Sequence, residues 1–439
     1  SMLVIPISFP LEYDTLRTAK SLWKSNEVER NMKILLATFW EIPHTGGVWK
    51  YMQQLKERLV SLGHEVDLFG FGDQGNIVYI YNKNQKVNKR FFLGEIKQAF
   101  PAMVLDSVIH YYEERMYFYE LAAKILGIGN YDLIHCQDVF SAVIFNRIRA
   151  KHTALVATLH GCVAHEILEA YYRSKNPVSS HGDSYFGNLE FNGATAGEIT
   201  IIANNWMKNI LVEEYNVPVS QLKVHHYGYD IETFLEQMNH PSPIQKPVTQ
   251  KVIIYTGRLS EMKGVHHLIG ALARLKKKRH DWVCWIVGDG PQDQVLQKQV
   301  ALLGLDNEVS FFGKRKDIPY LLSLADILVL PTLIDNQPLS VIEAQLAGKA
   351  VIASNVGGVP EMIEHGMTGV LTPPGDEEML AVHIDYLLEH EPYLANLGKR
   401  AKDWALTHWS LNQAIEKIVN IYEQAIFLRK TEIDEANKN

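Results

Sequence analysis

Short apolar runs alternate with stretches of helical periodicity along most of the chain. Residues 33–38 read as a first strand, and Tyr51, Met52, Leu55, Leu59 and Leu62 then recur at helical spacing. Gly63 closes that helix and 64–68 begin the next strand, which is the pattern of a βαβ unit. Residues 131–138, 154–161 and 199–205 are further strands ending in polar residues, as parallel strands do where they leave a sheet. A segment rich in proline and polar residues, 241–247, resists regular structure and separates two halves. Beyond it, 251–256, 282–287, 309–315, 327–330, 350–354 and 368–372 read as strands of a second sheet. Helical spacing returns at 379–388 and at about 412–428. The expected fold class is α/β, with two doubly wound halves. The expected division is an extension at 1–31, a first domain at 32–240, a linker at 241–247, a second domain at 248–411, a helix at 412–430 and a disordered polar tail at 431–439. Met32 reads as the natural start and Ser1 as a cloning remnant, with a packed helix at 11–29 as the alternative.

A chain of 439 residues is too long for one ordinary core and long enough for two. Its 47% hydrophobic and 21% charged residues describe a globular protein. A formal net charge of −7 argues against a nucleic-acid partner, because phosphates are held by an excess of Lys and Arg. The three cysteines, Cys136, Cys162 and Cys284, are odd in number and far apart, so neither a disulfide framework nor a zinc site is expected. They fit a reducing cytoplasm. No apolar run approaches the roughly 20 residues of a membrane span. The run Lys276-Lys277-Lys278-Arg279 leaves peripheral contact at the inner face of a membrane open, beside its plainer reading as a solvated helix end. Nothing in the sequence indicates an oligomeric state.

Candidate chemistry gathers where strands end. The run Ile327 to Leu330 stops at Pro331, a loop carries Asp335, Asn336, Gln337 and Pro338, and a helix then opens whose free amides from Leu339 onward suit an anion. Asp335 and Glu343 are spaced so that both can face one crevice, although two solvated acids are the bland reading. After the strand 251–256, Gly257-Arg258 leads to Lys263-Gly264. The planar fork of Arg258 and the compact charge of Lys263 both belong beside a diphosphate. Gly288-Asp289-Gly290-Pro291 and the end of 309–315, with Lys314 and Arg315, frame the same edge, where a nucleotide base would sit. In the first half, Gly46-Gly47 allows either a tight turn or a close approach to phosphate or sugar, and lacks the spacing of a nicotinamide-dinucleotide site. His135 and His160 end two strands, and each has a plain reading as a satisfied structural group. His165-Glu166 does not extend to a zinc-protease motif. The aromatic stripe 111–119 reads as core, and 170–193, with little periodicity, as a loop that is either an acceptor lid or a connection.

With Gly257-Arg258, Lys263-Gly264, Gly288-Asp289-Gly290-Pro291, Gly357-Gly358-Val359-Pro360-Glu361 and the 335–343 segment together, the chain resembles the retaining glycosyltransferases of family 4. The resemblance runs from Met32 to about Tyr422. It implies the GT-B architecture: two Rossmann-like domains whose parallel sheets face a deep interdomain cleft, an acceptor domain first, a nucleotide-sugar donor domain second, and a last helix crossing back to the first. It implies transfer of a sugar from a nucleoside diphosphate sugar to an acceptor hydroxyl, with retention of configuration and without an enzyme nucleophile. No further cofactor is implied, and a uridine diphosphate sugar is favoured over guanosine or adenosine ones. Carried over by position, Arg258 and Lys263 face the diphosphate, Asp335 the donor sugar, and His160 lies beside that sugar. Gln337, Pro338 and Leu339 lend backbone groups, Glu343 accepts from the ribose, and Gly47 and Arg315 complete the donor site. Two departures stand out: Tyr227 replaces the family's Asn, and Asp335 its Glu. No Asp-x-Asp motif occurs, so no essential metal is expected. The competing readings are a sugar-nucleotide epimerase or hydrolase, and a non-catalytic structural or coat-associated protein on the same fold.

Overall fold

The structure, a computed structural model, describes residues 31–44, 47–100, 106–173 and 180–438. The expected extension at 1–31, with its alternative helix, lies outside them but for its last residue, as does Gly46.

The first half holds an eight-stranded sheet in the order β4-β3-β2-β1-β5-β6-β7-β8. Its strands are β1 Lys33–Glu41, β2 Glu65–Gly72, β3 Ile77–Ile80, β4 Gln85–Asn88, β5 Leu133–Cys136, β6 Ala154–Leu159, β7 Ile199–Ile202 and β8 Leu222–Val224. The second half holds a six-stranded parallel sheet in the order β11-β10-β9-β12-β13-β14. Its strands are β9 Lys251–Thr256, β10 Trp282–Val287, β11 Val309–Gly313, β12 Ile327–Leu330, β13 Ala350–Ser354 and β14 Val370–Thr372. Both orders reverse beside the first strand of the half, at β1/β5 and at β9/β12. In doubly wound sheets the crevice outside such a reversal is where ligands bind. The central strands are buried on both faces, which is why their sequences are continuous apolar runs.

The halves are tied by the helix Leu411–Ala436. Its first residue donates from its amide to the Tyr229 carbonyl at 3.2 Å. Ile415, Ile418, Ile421, Tyr422 and Ala425 then pack in one cluster with Ile34, Leu36, Leu133 and Val156 of the first sheet. The Tyr422 hydroxyl lies 2.7 Å from His135 Nδ1, and Thr158 Oγ1 lies 2.7 Å from Nε2, so His135 is a buried structural group. Among the described residues no helix is long and apolar enough to cross a membrane.

At the edge of the first, mainly parallel sheet, β3 and β4 add an antiparallel hairpin turned through Asn84 at φ 53°. Two local expectations are corrected. The tail expected to be disordered from 431 is helical to Ala436, and Arg429 anchors it by donating to the Lys151 carbonyl at 2.8 Å. Most of 170–193 is helix, Val163–Arg173 followed by Ser180–Ala194, rather than a loop. A tertiary contact overrides the weak periodicity there: Glu190 reaches back and accepts the Ala164 amide at 3.0 Å, at the start of the preceding helix.

Glu190 is fully buried, and its Oε1 has no partner among the described residues. Burial pushes its carboxyl up to about 8, with the neighbouring Glu166 adding to the effect. A carboxyl whose folded pKa lies above its unfolded value holds its proton more tightly in the fold, so stability falls as pH rises from about 4.5 to 8. Glu190→Gln is therefore expected to be near neutral at pH 5 and stabilising at pH 8. A tenfold difference in proton affinity between the folded and unfolded chain corresponds to roughly 1.4 kcal/mol, so the gain is up to a few kcal/mol, readable by urea unfolding at the two pH values.

Candidate active site

The carboxyl ends of the two sheets open on a cleft of about 930 Å³, with a side chamber of about 210 Å³ next to it. The cleft is lined from the second half by the turns after β9, β10, β11 and β12, and from the first half by His44 and Gly47. These turns lie closer together than side chains allow. At Gly288, φ is +145° and a Cβ would lie 1.8 Å from the Gly257 carbonyl oxygen. At Gly357, φ is +59° and a Cβ would lie 2.0 Å from the Asp335 carbonyl oxygen. Glycine supplies both the backbone conformation and the space. The Gly357-Gly358 turn thus supports the acid-bearing loop, and Gly358 donates its amide to the Asp335 carbonyl at 3.0 Å.

Arg258, Lys263, Arg315, Asp335, Gln337, Pro338, Leu339, Glu343 and Gly47 all line this one cleft. Arg258 is exposed on its wall. Among the described residues its guanidinium has no partner, while its carbonyl accepts from the Tyr255 hydroxyl at 2.8 Å. Lys263 and Asp335, assigned separately to diphosphate and sugar, form an ion pair with Nζ 2.5 Å from Oδ2. Pro338 precedes the helix Leu339–Leu346, whose first residues Leu339 and Ser340 line the cleft, as the loop-to-helix pattern predicts.

Several side chains are engaged differently from the expectation. The Arg315 guanidinium is held in a fork by Asp317, at 2.8 and 2.5 Å, and borders the cleft as a neutralised pair. Gln337 engages its side chain: Oε1 accepts the Tyr227 amide at 3.0 Å beside the side chamber. Glu343 Oε1 accepts from the Tyr229 hydroxyl at 2.6 Å. His160 lines the side chamber rather than the cleft. Its Nε2 faces Gln137 Oε1 at 3.0 Å and its Nδ1 faces the Tyr227 hydroxyl at 2.6 Å. Gln137 Oε1 can only accept, so Nε2 carries the proton and Nδ1 receives one from Tyr227. Burial pushes His160 down to about 3. It is a neutral ring with both nitrogens engaged, at the wall of the chamber.

Other residues bridge the halves. Asn204 Nδ2 donates to the Asn336 carbonyl at 2.9 Å and side chain at 2.6 Å, and Asn336 Nδ2 donates to the His160 carbonyl at 2.8 Å. The Glu361 carboxylate accepts the Asn205 and Trp206 amides at 2.9 and 2.8 Å, capping the helix Asn205–Glu213 of the opposite half. An anion at a helix amino terminus is favoured by its free amides and dipole. The Gly-Gly-Val-Pro-Glu motif signals this segment, yet no local feature points its glutamate at a partner 156 residues away.

Two family models cover this architecture. One described as Glycosyltransferase Family 4 matches residues 45–233, and one described as Glycosyl transferases group 1 matches residues 236–404. The chain belongs to the family 4 glycosyltransferases of the GT-B architecture. This glycosyltransferase is 26% identical over 413 residues to an uncharacterized glycosyltransferase of Methanocaldococcus jannaschii, covering 90% of this chain and 99% of the relative. It is 24% identical to the N-acetyl-alpha-D-glucosaminyl L-malate synthase of Bacillus anthracis, covering 87% and 93%. Among solved structures it shares its fold with the sucrose-phosphate synthase of Thermosynechococcus elongatus, at TM-score 0.69, 20% identity and coverage of 90% and 99%. It also shares it with Anabaena HepE in complex with UDP and glucose, at TM-score 0.63, 21% identity and coverage of 90% and 100%. The family-level activity of this glycosyltransferase is transfer of a glycosyl group from a sugar nucleotide donor.

Proposed function

We propose that this glycosyltransferase moves a glycosyl group from a nucleoside diphosphate sugar, with the uridine form favoured, to an acceptor hydroxyl, with retention of anomeric configuration and without an essential metal. The observation that carries the reading is the cationic end of the cleft. The Arg258 guanidinium has no protein partner among the described residues, and the Lys263–Asp335 pair and the start of the Leu339 helix line the same space. As the bond from the anomeric carbon to phosphate oxygen breaks, negative charge builds on the diphosphate. Fixed cations and helix-end amides stabilise that charge without reorganising. The new bond forms from the acceptor oxygen on the same face, and the acceptor proton passes to the leaving phosphate oxygen. A neutral His160 with both nitrogens engaged agrees with a route that asks no histidine for a proton. In solved neighbours of the same fold UDP and UDP-glucose are bound, which supports the uridine preference.

The test is a thermal-shift screen of uridine, guanosine and adenosine diphosphates and their sugars, since a ligand that binds the folded state raises its stability by mass action. A uridine diphosphate sugar is expected to give the largest rise, with transfer unaffected by a chelator. Protection by no sugar nucleotide would sink the reading. Loss of transfer on chelation, restored by a divalent ion, would remove its metal-independent part. Consumption of donor with no acceptor product would favour a hydrolase or epimerase.

A further inference from the structure

Glu343, the acid at the ribose end of the proposed donor site, is held by Lys50 of the first half and by Tyr229, which packs in the core of the second. Its Oε1 accepts from the Tyr229 hydroxyl at 2.6 Å and lies 3.9 Å from Lys50 Nζ. Lys50 belongs to the helix Gly47–Ser61 and donates to the same Tyr229 hydroxyl at 3.3 Å, with its ammonium 4.8 Å from the centre of the Tyr229 ring. Tyr229 cannot easily move. It is buried, its amide donates to the Trp409 carbonyl at 2.7 Å, its carbonyl accepts from the Leu411 amide, and its ring meets Phe234 edge-on. Gly228 beside it has no room for a side chain, since a Cβ would lie 2.6 Å from Leu411 Cα. Lys50 and Tyr229 border the side chamber and not the cleft, so they reach Glu343 from behind, while Glu343 itself lines the cleft. Its Oε2 has no partner among the described residues.

Resting on the reading of the cleft as a sugar-nucleotide site, we propose that Lys50 and Tyr229 are positioning residues that fix the Glu343 carboxylate with one oxygen turned to the ribose hydroxyls of the donor. Lys50 and Tyr229 thereby set nucleotide affinity without lining the cleft themselves. A carboxylate in a partly buried site needs such support in two ways. Its rotamer freedom must be removed before a diol can be gripped in one geometry, and a phenol donating to one oxygen does this. Its charge must also be kept. Burial pushes the Glu343 carboxyl up, and the Lys50 ammonium and the Tyr229 hydroxyl both work against that. Arg258, Lys263 and Asp335 line the same cleft as Glu343. Nucleotide affinity is thus linked to how the halves meet, because Lys50 reaches Glu343 and Tyr229 from the first half.

The experiment measures dissociation constants of UDP and 2′-deoxy-UDP by calorimetry for the unaltered protein, for Tyr229→Phe and Lys50→Met, and for each of these combined with Glu343→Gln. Both single variants are expected to bind UDP three- to ten-fold more weakly, to lose less on 2′-deoxy-UDP, and to add no further loss when Glu343 is already Gln. Unfolding midpoints near that of the unaltered protein would separate this from general loosening. UDP affinity unchanged in both variants would overturn the proposal. So would equal losses on the two nucleotides, or a loss that persists in the Glu343→Gln background. Failure of the unaltered protein to bind UDP, GDP or ADP would instead sink the reading of the cleft, and this inference with it.

Discussion

Lys263→Ala lowers the rate of glycosyl transfer by about 100-fold and weakens donor binding by much less. Removing one preorganised electrostatic donor from an active site costs roughly 2.7–4 kcal/mol of transition-state stabilisation, and a cation facing a leaving diphosphate acts most strongly as the bond breaks. The ion pair at 2.5 Å adds a second consequence, because alanine leaves Asp335 without its partner. In the donor complex the ammonium must serve both the diphosphate and Asp335, so the two side chains form one unit. The losses in Lys263→Ala and Asp335→Asn should then be far from additive in the double variant. Single-turnover rates and donor dissociation constants for the three variants decide this. Equal losses in binding and rate would mean ground-state holding only, and additive losses would mean that the pair is incidental.

Gly357→Ala is the second large effect, and it arises at a residue with no side chain to offer. A methyl group there would stand 2.0 Å from the Asp335 carbonyl oxygen, on a residue whose φ of +59° already disfavours alanine. The loop bearing Asp335 and Asn336 must shift, and Asn336 carries the hydrogen bonds to Asn204 and His160 that join the halves. Displacement of a positioning group by about 1 Å costs on the order of 100-fold in rate, and overpacking with strain costs about 1–3 kcal/mol of stability. Gly304→Ala is the control. Its φ is +65°, yet nothing lies within 4 Å of the Cβ position, so it should lose about 1 kcal/mol from strain and leave transfer untouched. Equal transfer rates in the two variants would show that Gly357 is only a turn.

The two halves, their parallel strands and the residues gathered at the cleft are legible in the sequence because each rests on local pattern. An apolar run bounded by polar residues reports a buried strand wherever it sits, and a strand that ends at a glycine or proline before a helix marks the ligand edge of a sheet. What the sequence hides is who pairs with whom. Lys263 and Asp335 carry opposite charges in motifs that are each legible, yet their contact spans 72 residues. The Tyr229–Glu343 contact spans 114 and the Glu361 cap 156. Arg315 with Asp317 is the exception, since a cation two residues from an acid can be read as a pair without a structure. The helix Ser180–Ala194 is hidden for a related reason: its place depends on Phe186 and Leu189 packing in the first core and on Glu190 reaching the preceding helix, not on its own periodicity.

The mechanism stands or falls on the stereochemistry of transfer, because a leaving phosphate that accepts the acceptor proton must lie on the face where the new bond forms. Proton NMR of the anomeric region, recorded during reaction of an α-linked uridine diphosphate sugar with an acceptor found by screening, reads this directly. The account predicts an α-linked product at the earliest time points. A β-linked product would require attack from the opposite face with a separate base, and would contradict the assignment of Arg258, Lys263 and the Leu339 helix to a leaving group that also takes the proton.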